Sequence, residues 1–308
     1  RQAARLANAL RRLGIDGDDR VATFMWNNQE HLEAYVAVPS MGAVLHTLNI
    51  RLFPEQIEFV AYEAEDRVVI ADLSLAPILA PVLPKMETVH TVIAVGAGDL
   101  EPFQRSGKNV VRYHDITAAE SDQFDWPAID EKSAAAMCYT SGTTGHPKGV
   151  VYGHRSTYLH STAVCSGNGM GLSFSDKAFP IVPMFHANAW GLPYAALMAG
   201  ADILLPDRHM DAKTLVHMIE TQRPTVAGAV PTIWNDVMNY LEREPGHDIS
   251  SLRLVACGGS AVPMSLMKAF EERHGVQIRQ LWGMTETSPT ATLAWPPPGT
   301  PTARSWEI

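Results

Sequence analysis

The apolar positions of this chain fall into short runs typical of strands, and these runs alternate with segments whose apolar residues recur at helical spacing. Pro54 suits the first turn of one helical segment, because that position needs no backbone N–H. Residues 97–132 are more polar and predict surface turns and short strands. Ahead of them, the pattern predicts helices at 1–14, 29–44 and 54–65 and strands at 20–26, 67–72 and 88–96.

From residue 133 onward the alternation becomes more regular. Apolar strands that alternate with helices predict an α/β fold, in which mostly parallel sheets are flanked by helices. Ligands of such sheets bind beyond the carboxyl ends of the strands, so we expect the chemistry in the loops that follow them. The predicted strands are 134–140, 177–184, 201–206, 225–230, 251–259 and 276–282, and the predicted helices are 154–165, 188–200, 211–222, 231–243 and 263–275.

Composition narrows the class of protein. The 308 residues are 46% hydrophobic and 19% charged, which is typical of a globular chain with a sizeable core. The formal net charge of -9 argues against a nucleic-acid partner and against a polybasic membrane anchor. No apolar run reaches the roughly 18 residues that a membrane span needs. We therefore expect at most peripheral contact with a membrane.

The three cysteines, Cys138, Cys165 and Cys257, are far apart in apolar surroundings and form no C-x-x-C pair. This spacing is typical neither of a metal site nor of a disulfide framework. It predicts buried, reduced thiols and a cytoplasmic location.

The segment YTSGTTGHPKGV at 139–150 follows a predicted strand and combines three glycines with several hydroxyl side chains and one lysine. Its glycines can turn the backbone and expose N–H groups, and Lys148 adds a positive charge, which suits a phosphate-binding loop. A Walker loop would need G-x-x-x-x-G-K-[ST], but here His146 and Pro147 precede the lysine and Gly149 follows it. The spacing therefore disfavours a P-loop phosphotransferase.

This glycine motif resembles the signature of the adenylate-forming superfamily, which contains acyl-CoA synthetases, luciferases and peptide-synthetase adenylation domains. Three further stretches resemble the family in the same order: VPMFHANAWG (182–191), VACGGSAVP (255–263) preceded by AGAVPT (227–232), and QLWGMTETSP (280–289). The residues of these stretches are most similar to those of medium- and long-chain fatty-acyl-CoA synthetases. Enzymes for short sulfur-containing or branched acids look similar, so the length of the acyl chain stays open.

The resemblance implies a role for individual residues in each stretch. For Trp190 core packing is an equal alternative to a place at the acyl tunnel, and Trp282 stands where many members carry tyrosine. The implied catalytic residues are Lys148, His186, Thr285 and Glu286, and the implied Mg²⁺ ligands are Thr140 and Glu286. The implied nucleotide-binding residues are Thr140, Ser141, Gly142, Thr143, Thr144, Gly145, Lys148, Gly258, Gly259, Ser260, Gln280, Trp282, Gly283, Met284 and Thr285. The implied acid-binding residues are His186, Trp190, Val230, Pro231, Thr232 and Gly259.

The reaction that the resemblance implies has two steps. The carboxylate of a fatty acid attacks the α-phosphorus of ATP, which gives an acyl-adenylate and pyrophosphate, and the thiol of CoA then displaces AMP to form a carbon–sulfur bond. Two alternatives stay open. One is an enzyme that loads a carrier thiol, such as a fatty-acyl-AMP ligase, and the other is a truncated, non-catalytic nucleotide-binding module.

The resemblance also implies how the chain is organised. It covers part of the large N-terminal domain of the family, with a first subdomain portion at 1–132 and a second at 133–308 that holds the nucleotide and acyl motifs. The family's ribose-binding aspartate and its small C-terminal domain, which carries a lysine for adenylation, have no counterpart in these residues. We therefore expect 1–308 alone to be catalytically crippled. The similar long-chain enzymes can pair, so a homodimer is left open.

Overall fold

The computed structural model describes residues 1–140 and 147–297, and the chain divides into two compact units. The first unit comprises Arg1–Thr157 and Met184–His186. The second comprises Tyr158–Pro183 and Ala187–Ile308, of which the described part ends at residue 297. Each unit is built around one sheet, so the strands decide which residues are brought together.

The first unit is a sheet flanked by helices. Its strands are β1 (Arg20–Phe24), β2 (Val44–Thr47), β3 (Asp66–Asp72), β4 (Thr91–Val95), β5 (Asn109–Arg112), β6 (Ala134–Tyr139) and β7 (Gly149–Gly153). Its helices are α1 (Gln2–Arg12), α2 (Gln29–Ser40), α3 (Pro54–Glu63), α4 (Ala76–Leu79), α5 (Glu101–Gln104) and α6 (Tyr113–Ala118). The strand order is β5-β4-β3-β1-β2-β6-β7, and every described neighbouring pair is parallel except β6–β7.

Apolar side chains on one face of this sheet pack against its helices. Phe24, Ile57, Val69, Val92 and Phe103 are fully buried there in one cluster. Burial of a side chain of this size contributes about 1.5–3 kcal/mol, so the alternating pattern of the sequence is sufficient to drive this packing.

The second unit repeats the architecture. Its helices are α7 (His154–Cys165, of which the residues from 158 onward belong to this unit), α8 (Leu192–Ala199), α9 (Ala212–Gln222), α10 (Pro231–Arg243) and α11 (Met264–His274). Its strands are β8 (Lys177–Pro180), β9 (Asp202–Ile203), β10 (Val226–Ala229), β11 (Leu254–Gly258), β12 (Ile278–Gly283) and β13 (Thr290–Leu293). The order is β13-β12-β11-β10-β8-β9, and of these neighbours only β12–β13 is antiparallel. Trp234 and Phe270 meet edge to face at 5.8 Å in its core.

The α/β class predicted from the sequence is confirmed, and most predicted elements are present. The structure differs from the predicted elements in three places. Residues 44–47 form β2, whereas the sequence predicted a helix to 44, because α2 ends at Ser40 and Gly42 turns the chain with a positive φ of 96°. The polar stretch 97–132 contains two short helices beside β5. The edge strands β7 and β13 have no counterpart among the predicted elements.

The division into units differs from the one drawn at residue 133. Strands β6 and β7 belong to the sheet of the first unit because β6 pairs with β2, where Leu45 lies opposite Ala136. The change of unit therefore falls at 157/158 instead, inside α7. The glycine motif, which lies between β6 and β7, is thus flanked by strands of the first unit.

Two further expectations concern the surface and the thiols. Within 1–140 and 147–297, no helix has the length and apolar character to cross a membrane. Cys138 and Cys257 are buried and Cys165 is half-buried, and all three are free thiols. The predicted burial is therefore found for Cys138 and Cys257, whereas Cys165 is partly exposed.

Candidate functional site

The glycine motif is closed at its base by its two end residues. Strand β6 ends at Tyr139 and β7 begins at Gly149, and the two residues lie opposite each other in an antiparallel pair. The next pair outward is Thr140 and Lys148: the Thr140 N–H donates to the Lys148 carbonyl at 3.0 Å, and the Lys148 N–H donates to Thr140 Oγ1 at 3.3 Å. The Lys148 side chain is exposed. Two predicted site residues are thereby held side by side.

The central residues of the glycine motif are not among those that the structure describes. Ser141, Gly142, Thr143, Thr144 and Gly145 lie outside the described residues, so their role in holding phosphates stays a prediction.

Gly149 owes its identity to packing and not to a turn. A Cβ at this position would lie 3.1 Å from Cζ and 3.2 Å from the hydroxyl oxygen of Tyr139, and 3.4 Å from Cε of Met137. The sequence suggested that Gly149 frees the backbone of the loop. In the structure it is the first residue of β7, and its lack of a side chain makes room for the Tyr139 ring.

His186 lies at the end of a short segment that belongs to the first unit. Met184, two residues earlier, donates its N–H to Asn27 Oδ1 at 2.7 Å and accepts a hydrogen bond from the Tyr35 hydroxyl on its carbonyl. These bonds fix the segment to two buried residues, Asn27 just before α2 and Tyr35 in the middle of that helix. Because the backbone of Met184 is anchored by these bonds, the backbone of His186, two residues later, is also held in place.

The imidazole of His186 is tuned by its surroundings. Part of the ring reaches solvent, yet loss of hydration lowers the pKa of His186 below its ordinary value, and the positive charge of Arg51 lowers it further. The Arg51 guanidinium is held over the Phe185 ring at 5.8 Å from its centroid. His186 is therefore neutral at neutral pH, with one nitrogen that can donate and one that can accept.

In the second unit, the loops after β10 and β11 meet around Trp190. Gly259 has a positive φ of 83°, and a Cβ on it would lie 3.3 Å from Cγ1 of Val230 and 4.0 Å from Cζ2 of Trp190. Trp190 is 7% exposed and also lies against Gly228. The predicted acid-binding residues Trp190, Val230 and Gly259 are thus in one place. The burial of Trp190 fits the packing alternative as well as a pocket wall.

The neighbouring predicted residues differ in exposure. Pro231 is buried in the first turn of α10, whereas Thr232 and Ser260 are exposed. Gly258 is required by the sheet itself, because a Cβ there would lie 2.4 Å from the Leu281 carbonyl oxygen. Its glycine identity therefore needs no ligand to explain it.

The loop after β12 carries the last group of predicted residues. Gln280 accepts a hydrogen bond from the Val262 N–H at 3.0 Å and so ties β12 to the loop that follows β11. Trp282 is 54% exposed and Met284 is 48% exposed, so the indole face is open. Thr285 is buried and Glu286 is exposed on a 3₁₀ turn, Thr285–Thr287.

Gly283 stands at an irregularity of the β12–β13 pair. A Cβ on it would lie 2.2 Å from the Pro289 carbonyl oxygen, a separation that no side chain can adopt. A glycine in a strand often marks such a close approach of backbone. Gly283 therefore has a structural task in addition to the role that the sequence suggested.

The segment predicted as the start of a helix at 188 is a left-handed turn. Ala187, Asn188, Ala189 and Trp190 have φ angles of 43°, 51°, 49° and 56°, and Gly191 follows at 72°. Only then does α8 begin, at Leu192. Left-handed backbone costs about 1–2 kcal/mol per non-glycine residue, so the surrounding packing must enforce it. A sequence with one glycine in five residues gives little sign of this conformation.

Two residues near Trp190 were not singled out from the sequence. His160 packs so closely on Gly191 that a Cβ there would lie 2.5 Å from Nδ1, and its Nε2 accepts the Thr290 N–H at 3.3 Å. Burial lowers the pKa of His160 to about 4. The Thr290 hydroxyl donates to the Trp190 carbonyl at 3.4 Å. The sequence pattern contains no motif that marks His160, and its importance is evident only from its burial on α7 in the structure.

A groove opens beside this contact. It has a volume of about 220 Å³ and is lined by His160, Val164, Met170, Thr290 and Leu293 among others. Its lining is mostly apolar and comes from α7, the turn after α7 and β13.

Two of the predicted residues carry side-chain oxygens of the kind that Mg²⁺ binds. Within the described ranges no three His, Cys, Asp or Glu side chains cluster as a metal site. Mg²⁺ usually takes one or two protein oxygens and completes its shell with water and substrate phosphates. The exposed carboxylate of Glu286 and the hydroxyl of Thr140, which can accept a further contact, each suit that use.

The family model for AMP-binding enzymes matches residues 1–305, and this chain belongs to that family. Among curated relatives, the 3-methylmercaptopropionyl-CoA ligase of Ruegeria pomeroyi is 42% identical over 294 residues, which cover 96% of this chain and 54% of the relative. The long-chain-fatty-acid–CoA ligase of Thermus thermophilus is 43% identical over 288 residues, which cover 94% and 51%. The chain thus spans about half the length of these relatives.

The fold agrees with a solved structure. A long-chain-fatty-acid-CoA ligase (FadD1) from Archaeoglobus fulgidus superposes with a TM-score of 0.83 at 24% identity, over 99% of this chain and 59% of that one. This likeness confirms the predicted α/β architecture, and the match to the AMP-binding family assigns the chain to that family.

Proposed function

We propose that the protein that carries this chain is an ATP-dependent acid–thiol ligase, which converts a fatty acid to its acyl-adenylate and then to acyl-CoA. The observation that carries the proposal is the closure of the glycine motif, where Thr140 and Lys148 pair at the carboxyl end of β6. Membership of the AMP-binding family and the CoA-ligase relatives support it further.

In this proposal the glycine motif holds the phosphates of ATP. Lys148 supplies a positive charge, and backbone N–H groups and hydroxyls of Ser141, Gly142, Thr143, Thr144 and Gly145 supply hydrogen bonds. Transfer of the adenylyl group requires little covalent work by the protein, so position and charge neutralisation account for the catalysis. An exposed lysine beside a closed hairpin base supplies both.

Mg²⁺, when bound with ATP, neutralises phosphate charge. Glu286 is the carboxylate that we assign to it, with Thr140 as a hydroxyl ligand and Thr285 as the donor to the α-phosphate. The assignment is supported by the exposure of Glu286 on a tight turn whose own backbone is already hydrogen-bonded. Asp and Glu oxygens are the usual protein ligands of this ion.

His186 is assigned to the carboxylate of the acid. A neutral imidazole can donate one hydrogen bond to a carboxylate oxygen and orient it without neutralising its charge. A protonated imidazole would pair with the carboxylate and weaken it as a nucleophile. The lowered pKa of His186 therefore suits the first step of the reaction.

The remaining assignments fall at the carboxyl ends of strands in the second unit. The exposed indole face of Trp282 is suited to stack on adenine, since stacking needs only a π-face. Gly258, Gly259, Ser260, Gln280, Gly283 and Met284 line the nucleotide in this proposal. The acyl chain contacts Trp190, Val230, Pro231, Thr232 and Gly259, and its length is left to experiment, because the relatives act on short and long acids alike.

The partners in this proposal are a fatty acid and CoA, in the cytoplasm, with at most peripheral membrane contact and no nucleic acid. Pairing of two copies stays a prediction, which sedimentation of the full-length gene product tests.

The decisive experiment measures pyrophosphate release from ATP by the full-length gene product with a panel of carboxylic acids. We expect acid-dependent release of AMP and pyrophosphate, and acyl-CoA when CoA is added. Lys148→Ala should lower kcat/KM at least about tenfold, whereas Lys132→Ala, an exposed lysine upstream of β6, should not. Formation of ADP, or indifference to carboxylic acids, would contradict the proposal, and an adenylate that only a carrier thiol accepts would redirect it.

A further inference from the structure

A fully buried His–Asp pair lies in the sheet that also holds the strands flanking the glycine motif. His46 on β2 places Nδ1 at 2.9 and 2.8 Å from the two carboxylate oxygens of Asp66, at the start of β3. Both side chains are wholly buried, and burial raises the pKa of Asp66 while His46 opposes the rise. Removal of two polar groups from water is costly, so a pair of this kind calls for an explanation.

The ring of His46 supports Tyr139. Their ring centroids are 5.2 Å apart with an interplanar angle of 45°. The hydroxyl of Tyr139 lies at the other end of the ring, 3.2 Å from the position that a Cβ on Gly149 would take. Burial, followed by the charges of Glu63 and Asp66, raises the pKa of Tyr139, while Arg20 opposes the rise. The phenol therefore stays protonated.

Tyr139 in turn fixes the start of β7. Its ring occupies the space that a side chain on Gly149 would need, at 3.1 Å from the position of the absent Cβ. Tyr139 and Gly149 are paired across the hairpin, and the next residues outward are Thr140 and Lys148. Any tilt of the Tyr139 ring would change the position of Gly149 and, with it, of Lys148.

We propose that Tyr139 is a positioning residue for the phosphate-binding loop: packed against His46 on one side and against Gly149 on the other, it sets the placement of Thr140 and Lys148. The inference rests on the proposed function, since it gives Lys148 a phosphate to hold. It assigns a task to a tyrosine and to a buried pair that the reaction itself does not use.

The test compares Tyr139→Phe with Tyr113→Phe in the full-length gene product. Tyr113 is the control, because it is a buried tyrosine of the first unit whose hydroxyl donates to Glu33 Oε2 at 2.5 Å and whose loss also removes one phenol oxygen. We expect Tyr139→Phe to raise the KM and the dissociation constant for ATP about fivefold, or about 1 kcal/mol, with kcat changed less. Tyr113→Phe should leave both constants unchanged, although each variant loses some thermal stability.

A second pair of variants separates positioning from folding. Tyr139→Leu removes the ring that lies against Gly149, so it should raise the KM for ATP more than Tyr139→Phe does, whereas Tyr113→Leu should lower stability without changing the KM. If the variants of both tyrosines lower stability and none changes the constants for ATP, the inference is overturned.

The two proposals fail in distinguishable ways. If the wild type releases pyrophosphate with acids but Tyr139→Phe and Tyr113→Phe behave alike, the inference is wrong and the ligase stands. If the wild type binds MgATP without activating acids, the ligase proposal is wrong, and the dissociation constants alone decide the inference. A wild type that does not bind ATP would overturn both.

Discussion

The hairpin β6–β7 of the first unit and the hairpin β12–β13 of the second each add an antiparallel edge strand to an otherwise parallel sheet. Each carries motif residues in its connection. In β6–β7 the connection runs from Thr140 to Lys148 and is closed by a backbone pair at its base. In β12–β13 it runs from Met284 to Pro289 and is bonded internally.

The internal bonds of the second hairpin centre on one hydroxyl. Thr287 Oγ1 lies 2.8 Å from the Met284 N–H, from which it accepts, and 3.0 Å from the Met284 carbonyl. Glu286 is therefore positioned by local hydrogen bonds, whereas Lys148 is positioned by side chains packed beneath its strand. The β12–β13 connection should therefore be sensitive to the loss of the Thr287 hydroxyl. The β6–β7 connection should instead be sensitive to a change in the shape of the side chains at its base.

The largest expected effect is on the second hairpin. Gly283→Ala would place a Cβ 2.2 Å from the Pro289 carbonyl oxygen, and backbone cannot move aside as a flexible side chain can. We expect a loss of about 3 kcal/mol in the free energy of unfolding, measured by urea denaturation. Gly246→Ala is the control, because its positive φ of 103° meets open space, and it should cost about 1 kcal/mol. Equal midpoints for the two variants would contradict the close approach.

The next effect concerns shape in the first hairpin. Gly149→Ala forces a methyl group against Tyr139 and should raise the KM for ATP about tenfold. Gly153→Ala is matched to it at the other end of β7, where a Cβ would lie 3.3 Å from the Ser133 carbonyl oxygen. We expect it to lower stability without changing the KM. A KM that rises equally in both variants would mean that the whole strand, and not the Tyr139 contact, governs ATP binding.

A smaller effect follows from the hydroxyl of the second hairpin. Thr287→Val keeps the shape and removes the hydroxyl that accepts from the Met284 N–H at one end of the connection and lies against the Pro289 carbonyl oxygen at the other, which costs about 1–2 kcal/mol. Because Glu286 is the adjacent residue, the Mg²⁺ concentration for half-maximal activity should rise. Thr292→Val, on the exposed part of β13, is the control. If the Mg²⁺ requirement stays constant, Glu286 does not depend on this turn.

The comparison also explains what the sequence could and could not predict. Parallel strands are continuous apolar runs, so segments such as 67–72 were predicted closely. The edge strands β7 and β13 are half exposed, and their register depends on pairing with a distant segment, so local pattern alone gave no sign of them. The motif residues were located from the resemblance, whereas the packing tasks of Gly149 and Gly283 depend on contacts that only the folded chain shows.

The left-handed turn at 187–190 was unpredictable for another reason. Its residues are ordinary for a right-handed helix. The opposite hand of the backbone is imposed by tertiary packing, for example by His160, whose ring lies close to Gly191. Propensity is a weak guide wherever packing can supply a few kcal/mol.

The smallest expected effect uses His186, which lies on neither hairpin and so serves as a reference for both. Its pKa is lowered by lost hydration and by Arg51, so the ring stays neutral to a lower pH than an ordinary histidine, whose pKa is about 6.5. Activity toward the acid should fall only below that pH. Arg51→Ala removes a positive charge that disfavours protonation, so the pKa of His186 should rise and the acid limb of kcat/KM should move to higher pH. Arg105→Ala, which removes a surface arginine paired with Glu101, should leave the acid limb in place.

The hairpin variants Thr287→Val and Gly149→Ala should also leave the acid limb of kcat/KM in place. If the limb moves in those variants, the hairpins affect the pKa of His186, and the contrast between a packed and a hydrogen-bonded connection is too simple.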